Sequence, residues 1–157
     1  MLPAQRVKRA RHRLVRQNGV RLQMMDFMRP WTAQAYAIMR IMVGLLFTSH
    51  GLSKLVHFPL PPPPEAPALI LYTAGPIELV CGALVALGLL TRPAAFLASG
   101  TMAVAYFMAH FPRGFFPIAN GGELAVLYCF AFLFIAAYGS GIWSVDASRR
   151  QSEKCDH

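Results

Sequence analysis

The stretch Leu45–Leu55, LLFTSHGLSKL, sets Thr48, Ser49, His50, Ser53 and Lys54 among leucines and a phenylalanine. Apolar residues continue back to Trp31, so the whole block Trp31–Leu55 has the length of roughly 20 residues or more that a helix needs to cross about 30 Å of hydrocarbon. A charged side chain facing lipid in such a block costs from about 2.5 kcal/mol upward. The polar residues must therefore look into the protein or into an outward-open cavity. At 100° per residue, Arg40, Phe47, Gly51 and Lys54 fall in one narrow stripe, with His50 at its edge.

Three more apolar blocks follow, Leu69–Leu90, Pro93–Phe111 and Glu123–Gly139, none with the continuous polar face of a soluble helix. The 157 residues suit one domain, and 55% hydrophobic against 14% charged residues, with mean hydropathy +0.42, is too apolar for an ordinary soluble one. The expectation is an all-α integral membrane four-helix bundle over residues 29–147, with a basic tail at 1–28 and a short tail at 148–157. Gly75, Gly82 and Ala86 in the second block, and Ala94, Ala98, Ala105 and Ala109 in the third, let helix backbones approach closely.

The net charge of +8 is not spread evenly. Eight of the Lys and Arg residues precede the first block, Arg92 follows the second, and Arg149, Arg150 and Lys154 lie in the tail. Lys54 and Arg113 fall on the other connections, and Arg40 lies inside a block. This bias predicts that both termini are cytoplasmic. The leading RVKRARHRLVRQ reads as a solvated, disordered topology signal that can touch anionic lipid, not as a nucleic-acid surface. Met24, Met25 and Met28 stand just before the first block and are alternative starts. No small-residue cleavage site marks a secretory signal. Cys81, Cys129 and Cys155 form no Cys-x-x-Cys pair, so inert structural thiols are expected. Pro61–Pro64 should make the first connection extended and stiff.

Depth can be counted at about 1.5 Å per residue from the cytoplasmic ends. His50, His110 and Glu123 then share a level in the outer half, with Lys54 and Asn120 just above, while Arg40 and Glu78 lie deeper and near enough in height to form a buried ion pair. His50, Lys54, His110, Asn120 and Glu123 are the expected lining of a periplasm-facing polar pocket that binds a polar head group or passes protons. The same residues could equally be a satisfied network that specifies helix packing. Two histidines near one level are a weak signal for haem, and a zinc or copper site lacks a third obvious ligand beyond Glu123, so no metal ligands are assigned.

RIMVGLLFTSHGLSKL, with Arg40, Gly44, Phe47, Gly51, Lys54 and Leu55, resembles the first-helix signature of the DoxX family. IELVCGALVALGLLTRPAA resembles its second helix, with Glu78, Gly82, Gly88, Thr91 and Arg92 in register, and NGGELAVLY and GSGIWSVDA resemble its fourth helix and exit. The resemblance, over residues 31–147, implies a multi-pass protein of the bacterial inner membrane. It is similar to the DoxD-type subunits of thiosulfate:quinone oxidoreductase, and some members are linked to complexes with a sulfurtransferase and a superoxide dismutase. It therefore implies a lipid bilayer and protein partners, and a quinone or an oxyanion such as thiosulfate in the pocket. The alternative function is non-enzymatic, either a scaffold or assembly subunit or a small-solute carrier. A carrier of this size would work as a homo-oligomer.

Overall fold

A computed structural model describes residues 28–61 and 68–155. The basic tail up to residue 27 and the prolines at 62–64 lie outside the described residues. Among the described residues every regular element is helical: α1 (Thr32–Val56), α2 (Ala68–Leu87), α3 (Thr91–Ala105), the single turn α4 (Pro117–Asn120), α5 (Glu123–Tyr138) and α6 (Val145–Cys155). A wider π-type turn, Tyr106–His110, and a 3-10 turn, Phe111–Arg113, prolong α3. Two helical stretches, Arg29–Val56 and Thr91–Arg113, are long and apolar enough to cross a membrane, while the apolar helices Leu71–Leu87 and Glu123–Tyr138 are shorter.

The chain divides into two compact units, Met1–Gln34 and Ala35–His157. In the first, Pro30 sits early in a 3-10 turn, Arg29–Trp31, and the Thr32 hydroxyl donates to the Arg29 carbonyl at 2.9 Å. Everything below concerns the second unit.

Glycine ends two of its helices. Gly88, at φ 69°, stops α2 in a left-handed turn, with the Leu89 amide donating to the Leu84 carbonyl at 2.9 Å. Gly139, at φ 100°, closes α5 through the Ile135 carbonyl at 2.8 Å. The core draws on four helices: Phe47 of α1, Cys81 and Val85 of α2, Ala94, Ala95, Ala98 and Met102 of α3, and Tyr128, Phe132 and Ile135 of α5. Aromatic rings fill the α1–α5 seam, with the Phe47 centroid 4.6 Å from Phe132 and 5.4 Å from Tyr128. Alanines and the Ser99 hydroxyl, which donates to the Cys129 carbonyl at 2.8 Å, fill the seam between α3 and α5.

Polarity is inverted relative to a water-soluble domain. Arg40, Glu78, Thr91, Ser99 and Asn120 are buried, while Ile38, Met42, Leu46, Phe96, Leu97, Phe107, Leu127 and Phe130 are exposed along the helices. An apolar surface of this extent needs a lipid or protein partner.

Glycines spaced seven residues apart set the α1–α2 contact. A Cβ added to Gly44 would sit 2.6 Å from the Ala86 amide nitrogen, and one on Gly82 would sit 2.6 Å from the Thr48 amide nitrogen. One on Gly51 would lie 2.8 Å from the Gly75 carbonyl oxygen. Backbone occupies each of these places, joined at Gly82 by the Thr48 hydroxyl. Gly100 on α3 faces open space. Gly51→Ala should lower the apparent melting temperature in detergent, with an overpacking cost of about 1–3 kcal/mol. Gly100→Ala should be neutral or stabilising, because alanine is the better helix former. Equal behaviour of the two variants would mean that α1 and α2 do not touch at Gly51.

Candidate functional site

The two glycine contacts also place the charges. Lys54 stands three residues after Gly51 on α1, and Glu78 three residues after Gly75 on α2, so each charge lies one turn from a point of closest backbone approach. A Cβ on Gly75 would lie 3.4 Å from the Lys54 Cβ. With α1 and α2 this close, Lys54 Nζ donates to Glu78 Oε1 and forms an ion pair with it. Glu78 is 1% exposed, whereas the Lys54 side chain keeps 24% of its surface. The second carboxylate oxygen, Oε2, is buried without a hydrogen-bond partner.

Tyr128 of α5 and His50 of α1 complete the cluster. Both lie within electrostatic reach of Glu78. The His50 ring meets Tyr128 edge to face, centroids 5.9 Å apart at 88°. Tyr128 is buried and His50 is exposed. The four side chains therefore run from a buried carboxylate to a surface imidazole, from three different helices.

His110 and Asn120 belong elsewhere. His110 Nδ1 lies 3.2 Å from the Asn120 carbonyl, and the Asn120 amide donates to the Gly114 carbonyl at 2.7 Å and to the Tyr106 hydroxyl at 3.4 Å. Asn120 Oδ1 accepts from the Gly122 amide at 2.8 Å, and Tyr106 donates to the Phe115 carbonyl at 3.0 Å. This network shapes the connection between α3 and α5. Glu123, the first residue of α5, is exposed on the rim of an open groove of about 730 Å³ with Pro117, Leu124, Leu127 and Phe130. His110, Asn120 and Glu123 thus make their contacts around the connection into α5, and His50 and Lys54 theirs beside Tyr128 and Glu78. Counting residues along a helix gives height but not azimuth, and Glu123 points away from the face carrying Ala125, Tyr128, Phe132 and Ile135.

The expected Arg40–Glu78 pair is likewise replaced. Both residues are buried as expected, but Glu78 takes Lys54 as its partner. Arg40 reaches the other way: Nη1 donates to the carbonyls of Val85 at 2.5 Å and Ala86 at 2.9 Å, and Nη2 to that of Trp143 at 2.8 Å. The first two are carbonyls of the last turn of α2, the third ties that end to the segment after α5, and a guanidinium at the end of α2 also suits the helix dipole. Its heavy atoms leave no room for a side chain at Gly88, where a Cβ would come within 2.9 Å of Nη1.

Two more residues make the same kind of contact at this end. Arg92 Nη1 donates to the carbonyls of Ala136 at 3.0 Å and Ala137 at 2.8 Å, closing α5. Asp146 caps α3: Oδ1 accepts from the Leu90 amide at 3.0 Å, and Oδ2 accepts from the Thr91 amide at 3.1 Å and the Thr91 hydroxyl at 2.9 Å. Its own amide donates to the Gly88 carbonyl at 3.0 Å. The segments GLLTRP and GSGIWSVD are thus one clamp.

The sequence model of the DoxX family matches residues 35–111, which run from α1 through the π-type turn. An uncharacterized protein of Haemophilus influenzae is 45% identical over 116 residues, covering 70% of this chain and 87% of the relative. The chain belongs to the DoxX family. An uncharacterized membrane protein of Mycobacterium tuberculosis is 31% identical over 132 residues, covering 73% of this chain and 80% of the relative. No solved structure matches significantly. As a DoxX-family membrane protein, the chain carries its signature in two structural roles, the clamp at one end and the Lys54–Glu78 cluster towards the other.

Two predictions follow from these contacts. Lys54→Met should lower stability in detergent by up to about 3–5 kcal/mol, since it leaves the buried Glu78 carboxylate unpaired, and Glu78→Gln should cost less, since the Lys54 ammonium it frees is partly exposed. The double variant should recover much of the loss, and a double loss equal to the sum of the singles would show that the pair contributes nothing.

The clamp has a pH signature. Partial burial of Asp146 works to raise its carboxyl pKa, but the hydrogen bonds from Thr91 and Leu90, with Arg150 nearby, outweigh this and hold it below the ordinary carboxylate range. A group depressed in the folded state adds stability above its unfolded pKa of about 3.9 and loses it as pH falls through the folded value. The wild type should therefore lose more apparent melting temperature than Asp146→Asn on passing from neutral pH to below about pH 4. Parallel curves would remove Asp146 from the acid response.

Proposed function

We propose that the chain crosses the bacterial inner membrane four times, through α1, α2, α3 and α5, with both termini in the cytoplasm. In this reading it is the membrane subunit of a redox complex and binds a quinone head group at Lys54, Glu78, His50 and Tyr128. The observation that carries the site is the ion pair between Lys54 and an almost wholly buried Glu78 whose Oε2 has no partner. Ionisable groups within an apolar bundle are expensive and are retained chiefly for function. The topology rests on the distribution of charge: Arg92, Arg149 and Arg150 lie towards the clamp, and Arg113 towards the opposite end.

Charge balance favours a neutral ligand. Because Glu78 already neutralises Lys54, an oxyanion such as thiosulfate gains little from the lysine, whereas a quinone needs no net positive charge. A quinone carbonyl accepts from Lys54 or a protonated His50, and a quinol hydroxyl donates to Glu78 Oε2. The side chains here bind, orient and exchange protons, and the electrons come from a protein partner.

A scaffold subunit or small-solute carrier is the second reading, favoured by the clamp, in which Arg40, Arg92 and Asp146 are all spent on closing helices. One labelling experiment separates the two. A cysteine in place of His50, in a background lacking Cys81, Cys129 and Cys155, should react with a membrane-impermeant maleimide from the periplasmic face, and a short-chain quinone should protect it while thiosulfate does not. Labelling from the cytoplasmic face would reverse the topology. Labelling that a quinone leaves unchanged would favour the scaffold.

A further inference from the structure

We infer that Glu78 is a proton-exchange site and that His50 is the group through which its proton enters and leaves. This goes beyond the quinone reading and does not depend on it, since the exchange needs no ligand. Four observations converge. Glu78 is 1% exposed, so it has no direct contact with water. Only one of its carboxylate oxygens is engaged, by Lys54, leaving Oε2 as a buried acceptor with nothing to accept. His50, exposed on α1, lies within electrostatic reach of that carboxylate. The edge-to-face contact with buried Tyr128, 5.9 Å between centroids, steadies the imidazole between surface and interior.

The groups around the carboxylate leave few other routes. On α1 they are Lys54 and His50, and on α5 Tyr128. Lys54 is engaged with Oε1 in the ion pair, and Tyr128 is itself buried. The ionisable side chains of α3 and its π-type extension are committed elsewhere, Arg92 to α5 carbonyls at the far end and Tyr106 and His110 to the connecting loop. An imidazole has one nitrogen to take up a proton and another to give one away, which suits a relay. The step is a proton transfer alone: an imidazolium at His50 gives its proton to Oε2, leaving neutral imidazole and a neutral Glu78 carboxylic acid beside the Lys54 ammonium, and water then reprotonates His50. The site's charge rises by one, and no electrons move.

Infrared difference spectroscopy after a pH jump, on the full chain in lipid nanodiscs without quinone, reads the carbonyl stretch of a protonated carboxylic acid. A band that titrates in the wild type and is lost in Glu78→Gln should appear. In His50→Ala the same band should appear about tenfold more slowly or worse, and added imidazole should restore the rate. His50 is exposed, and matching helical circular dichroism establishes that the variant is folded. The inference is overturned if Glu78 contributes no titrating band, if His50→Ala exchanges as fast as the wild type, or if the slowed variant ignores imidazole. Because no quinone is present, none of these outcomes bears on quinone binding.

Discussion

Where Gly44, Gly51 and Gly82 bring α1 and α2 together, the main chain of one helix lies where a Cβ on the other would sit. Lipid supplies no hydrophobic drive for such a contact, so it rests on close packing and on what is brought together beside it. One turn from each of two glycines, the contact holds a lysine and a glutamate on facing helices. The ion pair is therefore a by-product of backbone proximity as much as its cause. Remove the proximity, and Glu78 becomes a lone carboxylate in an apolar bundle, the arrangement hydrocarbon tolerates least.

At the opposite end of the helices, three charged side chains do work that short polar residues do in most proteins. Arg40 and Arg92 close α2 and α5, and Asp146 opens α3. None of the three is adjacent in sequence to the helix terminus it satisfies, so each cap doubles as a tertiary link. The unsatisfied backbone groups of a helix end are what make such links possible, because they have no partner within their own helix.

Apolar length and charge distribution made the all-α class and the helix limits readable, because those signals are local. Helix starts at Ala68, Thr91 and Glu123 lie within a residue or two of the apolar blocks, and Gly88 and Gly139 mark their ends in one dimension. Arg40 was legible as buried but not as a cap. A buried arginine suggests a carboxylate, and only the fold reveals that carbonyls of α2 and of Trp143 converge on it first. Lys54 misled in the other direction, since its place near the end of α1 suggested the aqueous connection. Four methylenes let its ammonium turn back to Glu78. Tyr128 is not legible as a site residue, because an aromatic in an apolar block carries no sign of the carboxylate beside it. His110 and Glu123 were matched to His50 by height, and height cannot tell an inward face from an outward one.

The cap on α3 comes from a residue made much later. Asp146 lies 55 positions beyond Thr91, on the far side of α3 and α5. During vectorial synthesis α3 is therefore made with its first amides open, and they stay open until the aspartate that closes them has been added. The clamp thus forms well after α3 is made: a chain interrupted anywhere between α3 and α6 holds an apolar helix whose first amides lack their cap. Closure of α3 therefore reports, within the fold itself, that synthesis has passed Asp146.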